Sequence, residues 1–318
     1  MSLFTTNRAR SVGARGERRL ITEIRRWLGD ASPASPFGIG DDCAVIPPTQ
    51  RHQLVTTDPV INDRHFDSRV PARAVGAKLL KRNLSDIAAM GGRPLAAVIS
   101  LALAPETSVD WLRGFYLGLA ACARRYRVKI VGGDITQGPR GFFGAFLTLH
   151  GESTGRLITR TGARSGDRIY VTGRLGGSLL GHHYQFFPRL AEGAWLSGRR
   201  EVRSMMDVSD GLAKDLDSLT PAGLVPALRA AAIPVSTAAR RQAKRSRKSP
   251  LQHALGDGED YELLIVMRAK SDHAGLLRDW RKRFPKVPLT HIGIFVPHTR
   301  VPAGTLALTD YRGYEHLR

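Results

Sequence analysis

Along this chain the apolar positions change period several times, and each change predicts an element. Leu20, Ile21, Ile24, Trp27 and Leu28 recur at helical spacing and predict a helix over 17–28. A short strand is expected over 53–57. From 72 to 90 the residues Val75, Leu79, Leu80, Leu84, Ile87 and Ala88 fall on one helical face, and Gly91-Gly92 closes the helix because glycine accepts a left-handed turn. Residues 95–103 read as an aliphatic strand. Ser108 is placed to cap a helix running through Trp111, Leu112, Phe115, Tyr116 and Leu119. Residues 129–131 predict a buried strand entering a Gly132-Gly133-Asp134 turn, and 142–150 predict another strand.

Between 151 and 166 the composition turns to Gly, Thr, Ser and Arg, which sets a domain boundary. The expected division is a frayed basic tail at 1–15, a first domain at 16–152 and a second at 153–318. In the second, 168–172 reads as a strand, 175–184, 188–203 and 212–219 as helices, 261–267 as a strand and 271–284 as a helix. Alternating strands and helices in both halves imply α/β or α+β layering.

Length and charge refine this picture. A chain of 318 residues suits two domains, and 42% hydrophobic residues are enough for real cores. Cys43 and Cys122 show no metal or disulfide spacing and fit a reducing cytoplasm. No apolar run reaches 18 residues, so no membrane span is expected. The net charge of +20 invites a polyanion partner. The cations are nevertheless widely spread, with one local run over 240–248 that reads as a solvated helix end or loop. With no zinc-finger, RNP-like or zipper pattern, no specific nucleic acid is expected.

Acids are scarce, yet seven of the 28 lie in five short polar turns. These are Gly40-Asp41-Asp42, Thr56-Thr57-Asp58, Asn83-Leu84-Ser85-Asp86, Gly132-Gly133-Asp134 and Asp207-Val208-Ser209-Asp210-Gly211. Carboxylates gathered at close range repel one another unless cations neutralise them. Oxygen donors without His or Cys suit hard divalent cations such as magnesium. Thr57 and Asp58 could share one metal, and Asp207 or Ser209 could cap the helix from 212 while its amides meet a phosphate. Each turn also has a purely structural reading, as a cap or a tight turn; the joint occurrence points to a metal-nucleotide site. Gly256-Asp257-Gly258-Glu259-Asp260-Tyr261-Glu262 is a second kind of acidic turn, leading into a strand. No Walker loop, HExxH, GxSxG or protein-kinase motif set is present.

In this order the stretches resemble the thiamine-monophosphate kinase family, in the superfamily of aminoimidazole-ribotide synthetase. The likeness runs from Gly16 to His316. Its most specific pieces are 38–45, 56–58 with His65-Phe66, 83–91, 132–139, 160–167, 207–212, 258–263 and the terminal Gly313-Tyr314-Glu315-His316. The resemblance implies a two-domain α/β (α+β) fold of the aminoimidazole-ribotide synthetase type. Its N-terminal sheet and helices would form a homodimer interface and hold ATP and magnesium, and a C-terminal α/β sandwich would complete the substrate site. It implies ATP-dependent phosphorylation of thiamine monophosphate to the diphosphate, with several magnesium ions and ATP as co-substrate. Asp42, Thr56, Thr57, Asp58, Asp86, Asp134, Asp207 and Asp210 match the metal positions. Gly133, Asp134, Arg160, Ser209 and Tyr116 match ATP contacts, and His65, Glu259 and Tyr311 match positions facing thiamine phosphate. Because the acceptor is itself a phosphate, no general base is implied.

The pattern is departed from at Ile135 and Gln137, across 181–199 and at the basic run 240–248. Among relatives, the selenophosphate synthetases need a reactive Cys or selenocysteine in an N-terminal glycine loop, and none precedes Cys43. A rival of another class is an idle, basic polyanion-binding protein on the same scaffold.

Overall fold

The computed structural model describes residues 1–35, 37–40, 43–311 and 313–314, with Asp310 by its backbone alone. Asp41 and the expected metal ligand Asp42 lie outside the described residues. The chain divides into two compact units, one of residues 1–87 with 93–152, the other of 88–92 with 153–318.

The first unit contains α1 (Glu17–Leu28), β1 (Gln53–Ile61), α2 (Ala72–Ala89, whose last two residues belong to the second unit), β2 (Gly92–Leu103), α3 (Val109–Tyr126), β3 (Lys129–Gln137) and β4 (Phe143–Ser153). Its four strands are ordered β1-β4-β2-β3. One sheet face is covered. Trp111 and Phe115 of α3 meet Phe143 of β4 edge-on, at 4.8 and 5.5 Å between ring centres. Leu79, Leu80, Leu84 and Ile87 of α2 are fully buried, as their spacing predicted. Among the described residues the other face is bare, with Val55, Val98 and Phe146 exposed by 61, 38 and 40%.

Two expectations change here. Gly132-Gly133-Asp134 is no turn, because β3 runs through it to Gln137 in parallel register with β2. The register slips at Ala97/Val98, where Ile130 and Gly132 are the successive partners and Val131 is the extra residue of a bulge. The segment 1–15 is docked rather than frayed. Thr5 N donates to Glu106 O and Val12 N to Thr107 O, both at 2.9 Å, and Val12 is buried.

The second unit contains β5 (Arg168–Thr172), α4 (His182–Gln185), α5 (Leu190–Ser197), β6 (Val202–Asp207), α6 (Leu212–Leu219), β7 (Leu224–Leu228), α7 (Thr237–Ala243), α8 (Pro250–Gly256), β8 (Leu263–Met267), α9 (His273–Arg283) and β9 (Leu289–Pro297). Its sheet is ordered β6-β8-β5-β9-β7 and every neighbouring pair is antiparallel. The alternation of elements thus produces an α+β layer here rather than parallel crossovers. One core packs Ile169, Val171, Leu216, Leu264 and Phe295; another packs Tyr170, Met205, Ile265 and Trp280.

The helix expected over 175–184 is broken into a 3-10 turn and α4. Gly176 and Gly177 adopt φ of 85° and 72°, and a Cβ on either would stand within 2.6 Å of the α8 or α7 backbone. The helix expected over 188–203 stops at Ser197, and Val202 already begins β6.

Candidate active site

In the first unit β1 and α2 run against each other as a polar ladder. Strand residues two apart and helix residues four apart both advance by about 6–7 Å, so the rungs stay in step. Thr56 Oγ1 donates to Asp86 Oδ2 at 2.5 Å. One rung along, Arg82 Nη2 donates to Asp58 Oδ1 at 3.1 Å and Nη1 to Pro59 O at 2.6 Å. A turn earlier, the fully buried Lys78 donates to His65 O at 2.7 Å. Asn83 is also fully buried and donates to Leu79 O at 2.9 Å. Asp58 therefore has a cation built beside it, where the sequence suggested uncompensated acids.

The strand's alternation separates the threonines. Thr56 and Asp58 face α2, whereas Thr57 stands opposite Thr148 on the bare face and donates to Leu147 O at 3.1 Å. The side chains of Thr57 and Asp58 thus point to opposite faces of β1. Asp134 is exposed, in register opposite Ser100, and no hydrogen bond among the described residues joins it to Thr56, Asp58 or Asp86. It lines a different feature. A cavity of about 160 Å3 is walled by Ile21, Ile24 and Leu28 of α1, Tyr116 of α3, Ile99, and the β3 edge from Gly132 to Ile135. Gly133 is required there, since a Cβ would stand 2.0 Å from Ile99 O. Burial pushes the Tyr116 phenol upward, so its ring and neutral hydroxyl face this cavity. The walls suit a flat apolar base, with backbone and two carboxylates, Glu17 and Asp134, also lining the cavity.

His65 is nearly buried. Its Nδ1 accepts from Ile61 N at 3.1 Å, which ties the turn after β1.

In the second unit the loop after β6 carries Asp207, Ser209 and Asp210. Its organiser is Asp215, which the sequence reading missed. Asp215 Oδ2 accepts from the amides of Ser209, Asp210 and Gly211 at 2.9, 3.0 and 3.1 Å. The amides of the loop just before α6 are thus engaged, and neither Asp207 nor Ser209 caps the helix, whose N-cap Gly211 has no side-chain cap. Burial first, then the charges of Asp207 and Asp210, push the Asp215 carboxyl up to about 8. An acid in the first turn of α6, four residues beyond a Ser-Asp-Gly loop, was the available signal. Asp210 itself pairs with Lys214 Nζ at 2.7 Å.

The turn from Gly258 to Glu262 lies against this loop. Glu259 N donates to Ser209 O at 2.7 Å and Tyr261 N to Val208 O at 2.8 Å. Glu259 and Tyr261 both hold positive φ, 54° and 51°, a strained choice for non-glycine residues. Tyr261 is held by stacking on Phe186 at 4.0 Å, and its hydroxyl donates to Glu259 Oε1 at 3.2 Å. Glu262 is clamped by Arg189 Nε at 2.7 Å and Thr172 Oγ1 at 2.6 Å. Asp260 is buried, its carboxyl accepts only from Gly176 N at 2.8 Å among the described residues, and burial above all pushes it well above the usual carboxylate range. Arg160 is exposed. Tyr311 packs beside the first of the two cores, at a cavity of about 570 Å3 shared with Lys214 and Leu308.

Among the described residues no three His, Cys, Asp or Glu side chains cluster as a self-contained metal cage. Magnesium does not need one, because it binds through one or two carboxylates together with substrate phosphates and water. The oxygen-only pair Thr56–Asp86 fits that requirement, and Asp207 and Asp210 both bring negative charge to bear on Asp215, charge that a cation would neutralise.

Residues 40–152 match the family described as AIR synthase related protein, N-terminal domain. A thiamine-monophosphate kinase of Rhodopirellula baltica is 37% identical over 279 residues, covering 84% of this chain and 85% of that protein. The crystal structure of thiamine-monophosphate kinase from Stenotrophomonas maltophilia superposes with a TM-score of 0.72 at 31% identity, covering 87% of this chain and 93% of the other. A structure described as AaThiL complexed with AMPPCP and TMP superposes with a TM-score of 0.72 at 28% identity, covering 96% and 98%.

Proposed function

The chain belongs to the thiamine-monophosphate kinase family, and from that membership we propose that it transfers the γ-phosphoryl group of ATP directly to thiamine monophosphate, giving ADP and thiamine diphosphate. The observation that carries the reading is the likeness over 96% of the chain to a relative described with both an ATP analogue and TMP. The cavity between α1, Tyr116 and the Gly133–Asp134 edge supports it, as a seat for the adenine with the phosphates at the strand edge. Arg160 and Ser209 are assigned to ATP, and His65, Glu259 and Tyr311 to thiamine phosphate.

Magnesium would be held by Thr56, Asp58 and Asp86 in the first unit, by Asp207 and Asp210 in the second, and by Asp134 beside the nucleotide, with Asp42 assigned on the resemblance alone. When bound, it supplies neutralisation of the charge on two approaching anions. The chain's own groups position them. The acceptor phosphate is largely dianionic near neutral pH, its second pKa being about 6, so no side chain has to remove a proton. Positioning and fixed charge then supply the rate. ATP as co-substrate assigns the reaction to the cytoplasm. Among the described residues no helix is long and apolar enough to cross a membrane, and Cys43 and Cys122 are free thiols. The bare face of the first unit's sheet supports a homodimer.

The test is incubation of purified protein with thiamine monophosphate, ATP and magnesium, with products resolved by chromatography. Thiamine diphosphate and ADP in equal amounts are expected; ADP without the diphosphate, or neither product, removes the assignment.

A further inference from the structure

Helices α7 and α8 form a hairpin in the second unit. Its tip carries Arg240-Arg241-Gln242-Ala243-Lys244-Arg245-Ser246-Arg247-Lys248, six cations in nine residues. All six are exposed, and among the described residues none joins an ion pair. Local neutralisation is absent from the sequence as well, because no acid stands between Asp217 and Asp257. A solvated face of the usual kind intersperses both signs; this one does not.

The array is also fixed. Ser236 caps α7 by accepting from Ala239 N at 2.8 Å and donates to Gly176 O at 2.5 Å. Ser249 and Gln252 close a reciprocal capping box on α8. Between them Ser246 Oγ is hydrogen-bonded to His253 Nε2 at 2.8 Å, and His253 Nδ1 lies 2.9 Å from both Asp257 oxygens. Lys248 N donates back to Ser246 Oγ at 3.2 Å. The middle of the run is therefore tied to a buried histidine rather than left as a tail. Contact with a polyanion costs less ordering on such a surface, and releases counterions from the polyanion.

We infer that this hairpin tip is a binding surface for the phosphate backbone of a nucleic acid, gripped without base reading. Four of the six cations are arginines, whose planar forks match phosphate oxygens. The absence of an aromatic residue leaves no platform for a base. Anionic membrane is the poorer fit, since residues 238–249 hold no large apolar side chain to enter a bilayer interface. The tip shares no residue with the proposed kinase site, so the inference does not depend on that reading.

The experiment compares the full chain with the fourfold variant Arg241→Gln, Lys244→Gln, Arg245→Gln, Arg247→Gln. Binding of a labelled single-stranded RNA of about 20 nucleotides is followed by fluorescence anisotropy from about 50 to 300 mM KCl. Wild-type affinity should fall steeply with salt. The variant should bind at least about tenfold more weakly near 100 mM, with a log–log salt slope shallower by roughly 3, at about 0.7 per lost contact. Kinase turnover is the control for folding and should be unchanged. Equal affinity and slope in the two proteins, no RNA binding by the wild type, or binding to phosphatidylglycerol vesicles without RNA binding, each overturns the inference.

Discussion

Asp86 is the residue through which the first-unit ladder is most directly open to test. Its carboxylate accepts the Thr56 hydroxyl, and Asn in its place keeps the shape while removing the charge. If that charge holds a cation against transferring phosphates, Asp86→Asn should lower kcat by roughly 100- to 1000-fold with little change in thermal stability. A loss of less than about threefold at limiting magnesium would end the assignment. Arg82 makes the complementary case. Arg82→Met leaves Asp58 without its guanidinium, and should cost the metal-free protein roughly 1–3 kcal/mol, discounted because both side chains are partly exposed. Added magnesium should restore part of that melting temperature in the variant and less in the wild type. An equal response in both would remove Asp58 from the metal set. Asp215 gives a pH signature. Its carboxyl titrates near 8 when folded, against 3.8 as the reference value. The folded state therefore keeps a proton that the unfolded chain loses, and this group's contribution to stability falls from about pH 4 to about 8, then levels. Urea unfolding of metal-free protein at pH 5, 7 and 9 should show that decline in the wild type and a flatter profile in Asp215→Asn. An unchanged slope would mean that the buried carboxyl is already ionised at pH 5.

Elements and their contacts follow a different logic, because glycines decide how closely they approach. Helices α2 and α3 meet where a Cβ on Gly118 would stand 1.9 Å from Arg73 O, and one on Gly76 equally close to Phe115 O. Gly118→Ala must push the helices apart over the buried Phe115 and Leu119, at roughly 2–4 kcal/mol. A melting-temperature drop of under about 2 °C by calorimetry would show that the pair yields instead. Such backbone approaches explain what the chain made legible and what it hid. α1, α2, α3, α6 and the core strands β2, β4, β5 and β8 stood out because one face or both were apolar over a full element. Only the first two residues of the strand Val202–Asp207 fall within the stretch that reads as helix, and the rest carries no period of its own; pairing with β8 makes it a strand. β7 and β9 likewise take their form from pairing with one another and with β5. The acids were legible one by one, since glycine and polar neighbours set them off from the apolar runs around them. Their partners were not. Arg82 meets Asp58, and Asp215 the loop of Asp207 and Asp210, only through the register of α2 on β1 and of α6 on its own entry loop. For the same reason Thr56 and Thr57, adjacent in sequence, serve opposite faces.

At the scale of the whole molecule two surface properties oppose each other. The bare face of the first unit's sheet presents Val55, Val98 and Phe146, a set that solvent does not favour and a second copy of the chain could cover. The net charge of +20 repels any such copy. Apolar burial depends little on ionic strength near these conditions, whereas repulsion between distributed charges is screened over about 10 Å at 0.1 M salt. A homodimer built on this face should therefore tighten as salt rises, opposite in sign to the RNA contact of the α7–α8 tip. Light scattering behind gel filtration should give a dimer at micromolar protein, with a dissociation constant that falls from 50 to 500 mM KCl, a span of about a decade in ionic strength. Phe146→Glu with Val98→Glu places unpaired carboxylates at the centre of the face and should yield a folded monomer at all salt concentrations. A wild-type monomer throughout, or a dimer indifferent to both substitutions, would assign the pairing to another surface and leave this sheet face bare in solution.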